Sequence, residues 1–270
     1  MQDHPMFPGS RRTDRDAPRK DAVDTGTIDF AAWVMTLLAA RKSTAEPVLR
    51  SDLLAAFHAA AIEQSPDAME TFLRDLVRQK IPAATVADLY IPALARRLGD
   101  DWLDDCVSFM EVTLASSRMQ AMLRAMGAAW TADLAGPGQG ETLVLVVPAQ
   151  EQHTLGAMVL LGQLRRMGIS VRLTIAPDRA ELRNILAEGR YHGVIASASS
   201  PTRVADLRMI VEEVRRAGPD GMVVAVGGFI LQTGIDVKAA TGADFATCDL
   251  DLVLAACGIR IEGTGLRQRA

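Results

Sequence analysis

The sequence predicts an α/β protein: a helical bundle cap followed by a domain built on a five-stranded parallel sheet. Three observations carry this. Residues 29–133 show helical periodicity throughout. Residues 134–141, Leu-Ala-Gly-Pro-Gly-Gln-Gly-Glu, read as a linker by their Gly and Pro content. From residue 142 onward, short apolar runs alternate with helical patterns, and strands separated by one helix each form a parallel sheet.

Residues 1–28 are polar, with Arg11, Arg12, Arg15, Arg19 and Lys20 set against Asp3, Asp14, Asp16, Asp21 and Asp24. So few apolar groups cannot offset the entropy of ordering, and the segment is predicted to be disordered. The bundle then opens with Ile28, Phe30, Trp33, Val34, Leu37 and Leu38 at helical spacing. A second pattern runs through Leu49, Leu53, Leu54, Phe57 and Ala61, and places His58 among alanines as an ordinary surface or partly buried residue. Ser65-Pro66 marks a third start, a cap followed by a first-turn proline, ahead of Met69, Phe72, Leu73 and Leu76. Another helix spans roughly Pro82 to Asp104. The last begins at Ser108, where Ser108 and Glu111 have capping-box spacing, and runs to about Ala132.

In the second half the strands are expected at about 142–148, 169–175, 192–197, 221–226 and 243–247. The helices are expected at about 154–167, 179–189, 202–217, 230–240 and 249–257. Asp178 and Pro201 mark helix starts, and Gly168, Gly189 and Gly218 mark stops. Five such units over 142–258 give a flavodoxin-like (Rossmann-like) doubly wound domain, with a frayed tail over 259–270.

With 270 residues the chain is long enough for two ordinary domains. Hydrophobic residues make up 49% and aromatics only 4%, so the core is mainly Ala, Leu, Val and Met. A net charge of −4 argues against stable independent nucleic-acid binding. No apolar stretch approaches the roughly 20 residues of a membrane helix, and the N-terminus lacks the apolar core of a secretory signal. Cys106, Cys248 and Cys257 are odd in number and in no metal-binding spacing, which points to buried free thiols in a reducing cytoplasm.

Candidate ligand-binding residues lie in the loops after strands one, three and four. Such loops meet at the carboxyl edge of a doubly wound sheet, where these folds bind ligands. The first holds Glu151-Gln-His153-Thr-Leu-Gly156. A neutral His153 can give a lone pair to a metal. Glu151 can accept a hydrogen bond from the other ring nitrogen. Gly156 lets a bulky ligand approach the backbone. A solvated loop histidine is the ordinary alternative for this segment taken alone. Ser197 and Ser199 follow strand three, and Gly227-Gly228 end strand four; 40 residues (157–196) separate Gly156 from Ser197, and 27 (200–226) separate Ser199 from Gly227. His192 falls on the opposite edge of the sheet.

These residues resemble the cobalamin-binding domain family, whose signature is D-x-H-x-x-G, then S-x-L, then G-G at about these gaps. The resemblance implies that His153 is the lower axial ligand of cobalt. It also implies that Ser197, Gly227 and Gly228 line the slot for the displaced nucleotide tail. The chain departs from the signature at Glu151, one methylene longer than Asp, and at Ser199, which replaces Leu. Leu98-Gly-Asp-Asp-Trp102, with Ser108 six residues later, resembles the helical cap that precedes many such domains. There Trp102 would cover the upper cobalt face; ordinary core is the alternative. The Glu-His pair that follows the tryptophan in photoreceptors of the family is replaced by Val112 and Thr113, and Glu111 reads better as a helix cap than as a ligand.

A free-standing cap plus cobalamin domain is similar to two kinds of protein. One is the AerR/PpaA family of antirepressors, which bind cobalamin and act on a PpsR/CrtJ-type repressor of pigment genes in photosynthetic bacteria. The other is the corrinoid carrier subunit of methyltransferase systems. The polar N-terminal extension and the departures at Glu151 and Ser199 favour the first. The resemblance then implies a non-enzymatic, light-responsive sensor that takes adenosyl- or hydroxocobalamin. A haem-binding or cofactor-free interaction scaffold of the same fold stays open, since histidine also ligates haem iron.

Overall fold

The computed structural model describes residues 48–132 and 141–260. The segment 1–28, the helix expected over 29–38, nearly all of the linker and residues 261–270 lie outside the described residues.

The cap follows the apolar periodicity. Helix α1 (Ser51–Ile62) packs on α2 (Pro66–Arg78) through Phe57 and Phe72, whose rings stack with centroids 4.7 Å apart. Ser65 caps α2 as its sequence indicates, accepting the Asp67 N–H at 3.3 Å. The long run that follows comprises an α turn (Ala83–Thr85), a π-helical turn (Val86–Tyr90) and α3 (Ile91–Leu103). Pro92 has no N–H for the preceding turn, and its ring would crowd the carbonyl four residues back. The wider π turn lies just before it and accommodates this. Helix α4 (Phe109–Ala132) starts with the expected capping box: Ser108 N–H donates to Glu111 Oε2 at 2.7 Å, and Glu111 N–H donates to Ser108 Oγ at 3.3 Å.

Arg118 of α4 closes the open end of α1. Its guanidinium donates to the carbonyls of Ala60 and Ala61 at 3.0 Å each, to that of Glu63, and to that of Ser65 at 3.3 Å. A cation at a helix carboxyl end also complements the helix dipole.

The second domain contains β1 (Thr142–Val147), α5 (Leu155–Arg166), β2 (Ser170–Ile175), α6 (Arg179–Glu188), β3 (Gly193–Ser197), α7 (Val204–Ala217), β4 (Val223–Gly227), α8 (Val237–Thr241), β5 (Phe245–Ala246) and α9 (Leu250–Ala256). All strand pairs are parallel and the order is β2-β1-β3-β4-β5, the flavodoxin-like arrangement. Strand residues alternate between two cores. Val144, Val146, Val194, Val224 and Val226 pack with Leu182, Leu207 and Ile210, whereas Leu143, Leu145, Ile195 and Ala225 pack with Leu161, Leu164 and Leu254. Burial on both faces explains why these strands read as continuous apolar runs. On the amino edge, His192 Nε2 lies 2.6 Å from Glu141 Oε2 and its Nδ1 accepts the Thr142 N–H, a structural position as expected.

The cap is seated on α5. Val159 joins Met119, Met122, Leu123 and Met126 in the cap's own core. Asp88, in the π turn, pairs with Arg166 at the far end of α5; burial pushes the Asp88 carboxyl up even against that guanidinium. Gln120 Nε2 meets Thr154 Oγ1 at 3.5 Å, just ahead of α5. Helices α4 and α5 therefore run in the same direction. Residues 109–119 of α4 extend past the start of α5 by about 16 Å at 1.5 Å per residue. The end of α3 and the start of α4 thus form an overhang that projects beyond the start of α5, on the side of the sheet's carboxyl end.

Three expectations are corrected. The cysteines are free thiols but not buried ones: Cys106 and Cys248 are exposed and Cys257 is half-buried. The helix predicted over 230–240 is a 3-10 turn (Phe229–Gln232) and the short α8, separated at Gly234, whose φ of 79° interrupts a right-handed helix. Ile259, assigned to a frayed tail, is buried and packs with Val253 and Leu254. Among the described residues no helix is long and apolar enough to cross a membrane.

Arg118→Ala removes the donors at the end of α1 and should destabilise the cap by about 1.5–3 kcal/mol, the usual range for hydrogen bonds to a charged group. Urea unfolding checks this, and Arg118→Lys should recover only part of the loss, because an ammonium lacks the planar fork.

Candidate functional site

After β1 the chain turns over Pro148-Ala149-Gln150, with Gln150 in the left-handed region at φ 59°. Glu151 N–H bonds back to the Pro148 carbonyl at 3.3 Å. This turn sends Glu151 inward and His153 outward: their side chains are 2% and 79% exposed. Glu151 Oε1 accepts the His153 N–H and the Ser199 hydroxyl, each at 2.8 Å, and Oε2 accepts the Ser199 N–H at 2.8 Å. One carboxylate thus ties the β1 loop to the β3 loop. Arg203 adds a second tie, donating from Nη1 to the Ala149 carbonyl at 2.8 Å.

Ser199 stands between the histidine and the carboxylate. Its Oγ is 3.1 Å from His153 Nδ1, closer than Glu151 Oε1 at 3.4 Å. The hydroxyl has a single proton, and that proton goes to Glu151. Its lone pair is left to accept from Nδ1–H. This arrangement favours the tautomer with a proton on Nδ1 and a lone pair on Nε2. Among the described residues nothing bonds to Nε2. The two departures from the family signature therefore act together. The extra methylene of Glu151 carries its carboxylate across to the β3 loop, and Ser199 supplies the hydroxyl donor that leucine lacks.

Burial alone would push the Glu151 carboxyl up. The N–H groups of Ser199 and His153 and the Ser199 hydroxyl outweigh it and hold the group below the ordinary carboxylate value.

The expected slot residues divide. Ser197 ends β3 opposite Gly227 and is half-buried. Gly228 has a φ of 102°, and a Cβ there would sit 2.3 Å from the Ala198 carbonyl oxygen. The fold itself requires this glycine, whatever binds beside it. A Cβ on Gly227 would meet the Thr247 carbonyl at 3.1 Å. Gly156 differs, since a Cβ there would meet nothing within 4 Å. It is the open position of the set.

Trp102 is on the overhang and is 52% exposed, so ordinary core does not describe it. Next to it, Asp101 Oδ2 lies 2.8 Å from His58 Nε2, an ion-pair contact off the ideal hydrogen-bond direction, and 3.7 Å from Arg97 Nε. His58 is therefore a paired, mostly buried residue. The sequence analysis missed this pair and Arg203, since neither sits in a recognisable spacing. No set of three or more His, Cys, Asp or Glu residues is arranged to hold a bare metal ion among the described residues.

Glu151→Gln tests the loop tie. The folded value lies below the unfolded one of about 4.3, so the stabilisation is complete above that pH and is lost as pH falls through the folded value. The substitution should cost about 1–3 kcal/mol at pH 7. The gap between the two proteins in urea unfolding should narrow below about pH 4.

The sequence matches no protein-family model. The fold is similar to that of the monomethylamine corrinoid protein of Methanosarcina barkeri, with a TM-score of 0.56 at 12% identity, covering 73% of this chain and 90% of that one. A cobalamin-binding protein from Desulfitobacterium hafniense DCB-2 aligns at 17% identity over 77% of this chain and 95% of its own, but with a TM-score of only 0.37. The first likeness shows the fold, and the second is too distant to add to it. The uncharacterized 20.5 kDa protein in the bchF-crtJ intergenic region of Rhodobacter capsulatus is 38% identical over 174 residues, 64% of this chain and 91% of that protein. At that identity and coverage, the chain belongs to the family of this Rhodobacter capsulatus protein.

Proposed function

We propose that the chain binds a cobalamin through His153 and regulates transcription by engaging a repressor protein, without catalysing a reaction. The observation that carries this is the imidazole of His153. It stands exposed at the carboxyl edge of the sheet, with Nδ1 engaged by Ser199 and Nε2 without a described partner. A metal already held by a macrocycle needs only one such ligand from the protein. Cobalamin, when bound, supplies a cobalt ion in a corrin ring whose axial ligands exchange.

The chain's own residues would divide the work. Ser199, itself held by Glu151, accepts the hydrogen bond of Nδ1–H, fixes the ring and raises the basicity of Nε2. Gly156 leaves room beside the ring. Ser197 and Gly227 border the place for the nucleotide tail, while Gly228 holds the two loops together. Trp102 on the overhang would cover the bound cofactor, and an adenosyl group held against it would make the site sensitive to light. The likeness to a corrinoid protein and the bchF-crtJ surroundings of the relative both support this reading.

The expected partner is a repressor of the PpsR/CrtJ type. Linkage requires the cofactor to favour one conformation over another. The cap is suited to this, because a ligand between overhang and sheet edge touches both. The same fold would serve a methyl carrier in a methyltransferase system, which is the second reading.

Hydroxocobalamin should bind the purified protein and change spectrum on losing its own base from cobalt. His153→Ala should abolish that change. Gly156→Val should weaken binding at least tenfold with the fold intact, since a Cβ at this position has open space around it. Release of the pigment-gene repressor from its operator should depend on cobalamin and fail in His153→Ala. Methyl transfer to the bound cofactor at a catalytic rate, with no effect on the repressor, would favour the carrier. A haem Soret band in the purified protein would replace cobalamin with haem.

A further inference from the structure

The turn joining α3 to α4 carries more than the chain's whole net charge. Residues 100–111 contain Asp100, Asp101, Asp104, Asp105 and Glu111 and no Lys or Arg, against a net charge of −4 for the entire protein. Asp101 is engaged by His58 and Arg97, and Glu111 by the capping box. Asp100, Asp104 and Asp105 are exposed, and their side chains pair with no described cation. Among them sit four large apolar side chains: Trp102 is 52% exposed, Leu103 79%, Phe109 75% and Met110 68%. One exposed leucine is ordinary, but a group of this size at one turn marks an interaction surface.

We propose that this turn docks a basic amphipathic helix of a partner protein. Leu103, Phe109 and Met110 take the apolar stripe of the helix, and Asp100, Asp104 and Asp105 pair with Lys or Arg along its margins. Charge complementarity selects this occupant. An acidic rim repels an anionic membrane surface and a nucleic-acid backbone alike. A second copy of the chain would bring the same five acids against each other. The chain's own residues 1–47 hold seven Lys or Arg and seven Asp or Glu, so they offer no net complement. Helix-in-groove recognition uses anchors of this kind. The proposal rests on the regulatory reading only in its need for a protein partner, and it does not depend on the cofactor.

The test uses the full chain, with and without hydroxocobalamin, and two labelled peptides of about 18 residues, five turns of helix. One is a Lys/Leu amphipathic helix and the other a Glu/Leu helix of the same pattern. The Lys/Leu peptide should bind in the micromolar range at physiological salt and protect residues 102–111 from hydrogen exchange. The Glu/Leu peptide should not bind. Asp104→Lys with Asp105→Lys, and separately Leu103→Ser with Phe109→Ser, should each weaken binding at least tenfold and leave the far-ultraviolet circular dichroism and urea midpoint unchanged. Equal binding by both variants, or protection elsewhere on the chain, overturns the proposal. So does a concentration-dependent dimer that buries this turn, or loss of peptide binding on cobalamin loading with the turn protected by the cofactor. Failure of the parent to bind cobalamin while it still binds the peptide at this turn rejects the cofactor reading and supports the docking surface.

Discussion

The buried carboxylate of Glu151 is the constraint on which the site depends. Three donors from two loops converge on it, two from Ser199 and one from the His153 backbone. A carboxylate with so little solvent contact is tolerable only when its lone pairs are satisfied. The loops after β1 and β3 are consequently held together before any ligand arrives. The same bonds determine which nitrogen of His153 is left available. The orientation of the imidazole is thus a product of the sheet's parallel topology, which brings residues 48 positions apart within hydrogen-bonding reach.

The cap adds a second surface to that edge. Its shared core with α5 and the Asp88–Arg166 pair fix it along the helix flank, while the first turns of α4 have nothing beneath them from α5. A floor with one exposed imidazole and an overhang with one half-exposed tryptophan suit a flat ligand better than a compact one. The overhang also carries the acidic turn, so a change in the cap's seating would move a partner surface and a cofactor surface together. That coupling is the physical content of a sensor in this fold.

Much of this was legible in the sequence. The five apolar runs, Ser65-Pro66 and Ser108 with Glu111 led directly to the observed elements. Local chemistry determines strands of this kind and helix caps. The placement of the loops carrying His153, Ser197, Ser199 and Gly227 on one edge of the sheet followed from topology alone. Three features were not legible. The partnership of Glu151 with Ser199 is a contact between loops, and a signature that expects Asp and Leu treats the two as unrelated departures. Gly228 looked like a slot residue, yet its closeness to the Ala198 carbonyl is a backbone requirement that only coordinates reveal. Gly234 sat inside an otherwise helical pattern, and its left-handed φ overrode the periodicity around it.

The central claim is that a nitrogen of His153 reaches cobalt in place of the cofactor's own base. Electron paramagnetic resonance of the cob(II)alamin form, prepared with protein labelled with nitrogen-15 at histidine only, tests it directly. The account predicts that the nitrogen superhyperfine splitting, a triplet with unlabelled protein, becomes a doublet with labelled protein, and that in labelled His153→Ala the doublet gives way to the triplet of the cofactor's own base. A triplet that persists in the labelled protein would mean that the dimethylbenzimidazole stays on cobalt, and would contradict it.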